Sequence, residues 1–171
     1  SAEIHEVDLN AIPEEIKILS PYDEYPSLVD RELVLQNSRV IIEYLDERFP
    51  HPPLLPVDPI SRAKFRLALN EIEHNWYSKY ADAYNDEVLD DKFVLEIKNY
   101  FLEIAPLIKK KFFMSDDFGL VDCSIAPLLW RLKSLDFDLA ENNKIIADYS
   151  ERIFEREAFQ DSLTETEKEL F

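Results

Sequence analysis

Hydrophobic positions recur with two different periods along this chain, and the change of period falls at a proline-rich junction. In IHEVDL (4–9), apolar and polar residues alternate as on a half-buried strand. IPEEIKIL (12–19) then places Ile12, Ile16 and Leu19 on one helical face. SPYDEYPSLVDRELVL (20–35) reads as a turn at Pro21 and Asp23 followed by two short strands, SLV and LVL, with a tight turn expected at Asp30-Arg31. Val40, Ile41, Tyr44 and Leu45 mark another amphipathic helix, expected to end at Phe49 because Pro50 disfavours helical geometry in the residue before it. The predicted order is βαββα.

Beyond ERFPHPPLLP (47–56) only the helical period remains. Asp58 is a good N-cap and Pro59 sits in the first turn, where its missing N–H costs nothing. Phe65, Leu69, Ile72, Trp76 and Tyr80 follow at steps of three and four. Further helices are predicted from Phe93, Ile97, Tyr100, Ile104 and Leu107, from Val121, Ile125, Leu128 and Leu132, and from Ile145, Tyr149 and Ile153. The expectation is an α+β chain in two domains: a small α/β part over residues 1–50, a linker over 51–58 and an all-helical domain over 59–171. No internal repeat or low-complexity segment interrupts this division.

Composition narrows the chemistry. With 46% hydrophobic and 12% aromatic residues in 171, the chain can bury a substantial core. Its single glycine, Gly119, excludes the closely spaced glycines of phosphate-cradling loops and dinucleotide fingerprints, so no nucleotide cofactor is expected. Nineteen Lys and Arg against 36 Asp and Glu give a net charge of −17, which repels phosphate backbones and anionic lipid and favours a basic protein surface as partner. Lys109, Lys110 and Lys111 form the one dense basic run, read as a solvated helix C-terminus. The sequence contains neither a signal-peptide pattern nor a long uncharged apolar run, and Cys123 is the lone cysteine. A soluble cytoplasmic protein without disulfides is the expectation.

Other candidate chemistry yields to structural readings. Cys123 lies among apolar residues with no histidine near it in sequence, as a buried inert thiol does. Glu71 and His74 make one Glu-x-x-His pair where a di-iron bundle needs two. DAYNDEVLDD (82–91) has carboxylates but lacks the glycine on which an EF-hand loop turns, so no metal site is expected. Asp122, three residues after Gly119, reads as a carboxylate that caps its helix start. In PHPPLLP the prolines fix φ and remove donors, leaving Phe49 and His51 on a stiff, solvated segment. Taken alone, that segment suits either a rigid interdomain connector or a docking surface with little entropy to lose.

A βαββα half followed by a helical bundle resembles the glutathione-transferase fold, in which a thioredoxin-like domain precedes an all-helical one. Tyr25-Pro26 stands where that fold has its cis-proline, and Gln36-Asn37-Ser38 where it opens a helix that receives the γ-glutamyl carboxylate of glutathione. Leu120-Val121-Asp122 matches its helix-capping motif, with Gly119 in place of the usual Ser or Thr. By this resemblance the fold's first strand and helix, roughly twenty-five residues, lie before Ile4 and have no counterpart in this sequence. With them would go the loop whose Tyr, Ser or Cys activates the thiol in catalytic members.

The blocks LVDREL (28–33), SRVIIEYLDERFPHPPLLPV (38–57), HNWY (74–77), SDDFGLVDCSIAPLLWRL (115–132), RIFERE and SLTETE are similar to one branch, the stringent starvation protein A family. They span nearly the whole chain. The resemblance implies a bacterial, cytoplasmic regulator of transcription in stress and virulence. It would associate with RNA polymerase holoenzyme, its sigma factor and core subunits, without transferase activity, a cofactor, a membrane or sequence-specific contacts to nucleic acid of its own. It implies a partner surface over Phe49, Pro50, His51, Pro52 and Pro53, and a vestigial glutathione site over Tyr25, Pro26, Asn37 and Ser38. It also implies a homodimer, or a heterodimer with a protein of the same fold, with the outer surface of the first bundle helix (Arg62 to Tyr77) as the expected interface. The alternative within the same fold is an enzyme, a glutathione transferase that holds the tripeptide through Tyr25, Asn37 and Ser38.

Overall fold

The computed structural model describes residues 3–8, 11–20, 25–80, 91–108, 110–134 and 137–169. The chain forms two compact units, Ser1–Pro52 and Pro53–Phe171.

In the first unit, α1 (Glu14–Leu19) turns Ile12, Ile16 and Leu19 to its half-buried side, the face predicted from their spacing. Strands β1 (Ser27–Asp30) and β2 (Leu33–Gln36) pair antiparallel, with Leu28 opposite Leu35 and Val29 opposite Val34. The pleat puts the leucine pair on the covered face and the valine pair outward. The hairpin turn falls at Arg31-Glu32, one residue later than Asp30-Arg31, because Asp30 is still paired with Leu33. Arg31 takes φ 58, the positive value that two-residue hairpin turns need and that no glycine is present to supply. Helix α2 (Ser38–Arg48) ends at its C-cap Phe49, as Pro50 requires.

The strand expected over residues 4–9 is not formed in the described part, 3–8. Alternation assigns faces, but a strand exists through its ladder, and the described ladder pairs β1 and β2 only with each other. The turn expected at Pro21 and Asp23 lies outside the described residues, as do Leu9 and all but the last residue of the acidic stretch 82–91.

The second unit is helical throughout its described elements: α3 (Pro59–Ile72), α4 (Asp91–Ile104), α5 (Leu120–Ser134), α6 (Leu139–Asn142), α7 (Lys144–Phe154), α8 (Glu157–Ser162) and α9 (Glu165–Lys168). Asp58 caps α3, its Oδ2 accepting from the Ser61 N–H at 2.7 Å with Pro59 in the first turn. The stripe Phe65, Leu69, Ile72, Trp76 and Tyr80 is buried along its length. Between Ile72 and Tyr80 the spacing is eight residues, about 80° beyond two α-turns, and a wider π-type turn over Glu73–Tyr77 takes up that excess.

Trp76 then meets Tyr100 and Phe101 of α4 at ring distances of 4.6 and 5.3 Å, and Phe101 meets Phe137 at 5.8 Å. Four predicted apolar-face positions are exposed: Val40 and Leu45 of α2, where Ile41 alone of the predicted set is buried, and two in this unit. Leu107 is exposed, because α4 gives way at Ala105 to a tighter turn, and Phe101 fills the core instead. Ile145 is exposed while Ile146 is fully buried: both fit the spacing to Tyr149, and packing of α7 on α5 selects the second.

Candidate functional site

The proline-rich segment is held at both ends by ordinary backbone chemistry. On the side of the first unit, the Phe49 N–H completes α2 by donating to Leu45 O at 2.9 Å, and the His51 N–H donates to Phe49 O at 2.9 Å, closing a three-residue turn on Pro50. The His51–Pro52 peptide is cis. Phe49 is 65% exposed, with the Arg48 guanidinium carbon 5.3 Å from its ring centroid, and Pro50, His51 and Pro52 are exposed as well. A large aromatic ring thus stands in solvent on a segment with few torsions left to restrict.

In the second unit, Pro53 is exposed, but two residues on Leu55 is only 1% exposed. Leu54 O accepts the Leu120 N–H at 2.9 Å, taking up one of the free amides at the start of α5. The span expected as a linker (51–58) therefore includes a core residue and a helix-capping carbonyl.

That contact explains Gly119. A Cβ at this position would lie 2.9 Å from Leu54 O, so the Ser or Thr usual in the capping motif has no room. Asp122 supplies the cap from within the helix: its Oδ2 accepts the Gly119 N–H at 2.7 Å, the backbone half of a capping box. Asp122 is fully buried and its Oδ1 accepts twice more, from the Phe113 N–H at 3.0 Å and the Tyr149 hydroxyl at 2.6 Å. Burial pushes its carboxyl above the ordinary aspartate value, against those three hydrogen bonds, and pushes the Tyr149 hydroxyl well above its own. The cap was legible from the spacing of Gly119 and Asp122. Tyr149, 27 residues away, was not, since nothing local marks it as more than a core aromatic.

At the glutathione-type positions, Tyr25–Pro26 is cis and Tyr25 is half-buried. Asn37 (φ 72) caps α2, its Oδ1 accepting from the Arg39 and Val40 amides at 3.1 and 3.3 Å. Those are two of the amides that a helix start leaves free, so this one already carries an acceptor of its own. Ser38 is exposed, and Gln36 donates through Nε2 to Leu19 O at 2.9 Å. Asp30, below its ordinary value chiefly through the Tyr44 hydroxyl at 2.6 Å, ties the hairpin to α2, with Arg48 3.7 Å away.

Cys123 is half-buried rather than sealed in the core. Glu71 accepts from Asn75 Nδ2 at 2.7 Å on an exposed helix face, and His74 is exposed beside it. Among the described residues no three of His, Cys, Asp and Glu converge as metal ligands, and no helix is long and apolar enough to cross a membrane. Of the basic run, Lys110 pairs with Asp116 at 2.9 Å beyond the end of α4, and Lys109 lies outside the described residues.

Models of the glutathione S-transferase N-terminal and C-terminal domains match residues 1–53 and 58–157. A stringent starvation protein A homolog of Haemophilus influenzae is 50% identical over 163 residues, covering 94% of this chain and 77% of that protein. The homolog of Pasteurella multocida is 47% identical over 160 residues, covering 92% and 76%. Among solved structures, glutathione transferase Omega 3C from Trametes versicolor superposes with a TM-score of 0.84 at 17% identity, over 94% of this chain and 76% of that one, a likeness of fold.

Proposed function

Because the chain belongs to the glutathione S-transferase family and, within it, to the stringent starvation protein A group, we propose that it is a bacterial transcription regulator docking on RNA polymerase holoenzyme through Phe49–Pro53. The observation that carries this reading is the exposed Phe49 ring on a turn whose backbone is already fixed: an aromatic anchor whose ordering entropy is largely spent before docking. The net charge of −17 adds steering toward basic surfaces of the polymerase or its sigma factor.

The protein is a docking module rather than a transferase. In support, Asn37 Oδ1 already takes up the Arg39 and Val40 amides at the start of α2, and its side chain is shorter than the residue usual at that place. The active form is a dimer, with itself or with a protein of the same fold, through the outer surface of the first bundle helix (Arg62 to Tyr77), where Leu67 is exposed. Its setting is the cytoplasm, in stress and virulence gene control.

In vitro transcription with purified holoenzyme tests the reading. The full chain should alter promoter output, and the variant with Pro50, His51 and Pro52 all changed to Ala should not. Equal output from both would refute it.

A further inference from the structure

The turn at Pro50 fixes the backbone of Phe49, whose N–H and carbonyl are both engaged, but it leaves the side-chain torsion open. An exposed phenylalanine has three staggered χ1 wells, and a partner that receives the ring in one of them must select it at a cost in entropy. A neighbour that selects the well beforehand removes that cost.

Arg48 is placed to do so. Its guanidinium carbon lies 5.3 Å from the Phe49 ring centroid, within reach of the cation–π attraction that favours one ring orientation over the others. An arginine with no anchor would wander among its own rotamers and hold nothing. Arg48 is anchored: its Nε stands 3.7 Å from Asp30 Oδ2, and Asp30 is its only ion-pair partner among the described residues.

Asp30 is fixed in turn. It ends β1, paired with Leu33 across the hairpin, and its Oδ2 accepts the Tyr44 hydroxyl at 2.6 Å. Tyr44 and Arg48 are one turn apart on α2, so both side chains reach the same carboxylate from one helix face. The hydroxyl and the guanidinium hold the Asp30 carboxyl below its ordinary value, so it is charged at neutral pH. The contacts run from Tyr44 to Asp30, then to Arg48, then to Phe49, all within the first unit.

We infer that Arg48, anchored on Asp30, is a positioning residue of the docking surface: it holds the Phe49 ring in the orientation that the polymerase receives. The inference rests on the docking reading above. It adds a residue outside Phe49–Pro53 that acts through the ring rather than by touching the partner.

Two measurements test it. In the 13C,15N-labelled full chain, the three-bond couplings of Phe49 Cγ to its backbone nitrogen and carbonyl carbon report the χ1 populations. The parent should show one dominant rotamer, and Arg48→Lys and Asp30→Asn should each show averaging. The Kd for RNA polymerase holoenzyme is then measured for the parent, Arg48→Lys, Phe49→Ala and the pair. Arg48→Lys keeps the charge and loses the planar group, and should weaken binding roughly threefold, the factor for returning the ring to three wells. In the Phe49→Ala background the same change should have no effect. Averaging in the parent, one rotamer retained in either variant, or an equal loss in both backgrounds would overturn this inference alone. So would an unchanged Kd for Arg48→Lys beside a weakened Phe49→Ala. A Phe49→Ala Kd equal to the parent's would overturn the docking reading, and this inference with it.

Discussion

The Tyr149 hydroxyl donates to Asp122 Oδ1 across 2.6 Å, joining the middle of α7 to the first turn of α5 inside the helical unit. The same carboxylate also holds Gly119 and Phe113, so one buried side chain ties together a helix start, a preceding turn and a second helix. Tyr149→Phe should lower the unfolding free energy by about 2 kcal/mol, the usual loss for a hydrogen bond to a charged group. Asp122→Asn should cost more, because its amide group would point a donor at a backbone N–H. Urea denaturation of the two single variants and the double should give a combined loss clearly below their sum.

Asp122 also sets a pH signature. Its folded-state carboxyl is raised by burial, so the folded chain keeps that proton to higher pH than the unfolded chain does. The contribution to stability is therefore greatest at low pH and falls as pH rises above the ordinary value of 3.8, until the folded carboxyl has ionised. Plotted against pH, the stability difference between parent and Asp122→Asn should shrink upward from about pH 4. A difference that grows over that interval would mean the hydrogen bonds outweigh the burial.

Gly119→Ser restores the usual capping residue and should still destabilise, by roughly 1–3 kcal/mol, since its Cβ must displace the Leu54 carbonyl that serves α5. Leu55→Ala should cost about 2–5 kcal/mol, as a core leucine does and a linker residue does not. Thermal or urea unfolding checks both.

Glutathione conjugation to a standard electrophile should stay at the uncatalysed rate, and isothermal titration with glutathione should show no saturable heat. Turnover above background would restore the enzyme reading of Tyr25, Asn37 and Ser38.

Much of the fold was legible because burial and spacing agree where helices are long. The stripe from Phe65 to Tyr80 and the positions Val121, Ile125, Leu128 and Leu132 are all core. What the sequence hid depends on partners distant in the chain. Residues 4–8 alternate without a ladder to join, Ile145 and Ile146 could not be told apart without α5, and the acceptor that forces glycine at 119 belongs to Leu54. The candidate docking segment was legible as stiff from its prolines. Its exposed Phe49 follows from that reading, whereas the burial of Leu55 depends on packing that composition does not encode.

The central claim is that Phe49–Pro53 is a docking surface. Its most direct test is the equilibrium Kd of the full chain for immobilised RNA polymerase holoenzyme, with and without alanine at Pro50, His51 and Pro52. The account predicts at least roughly tenfold weaker binding for the variant at unchanged Tm. Equal affinity of the folded variant would contradict it.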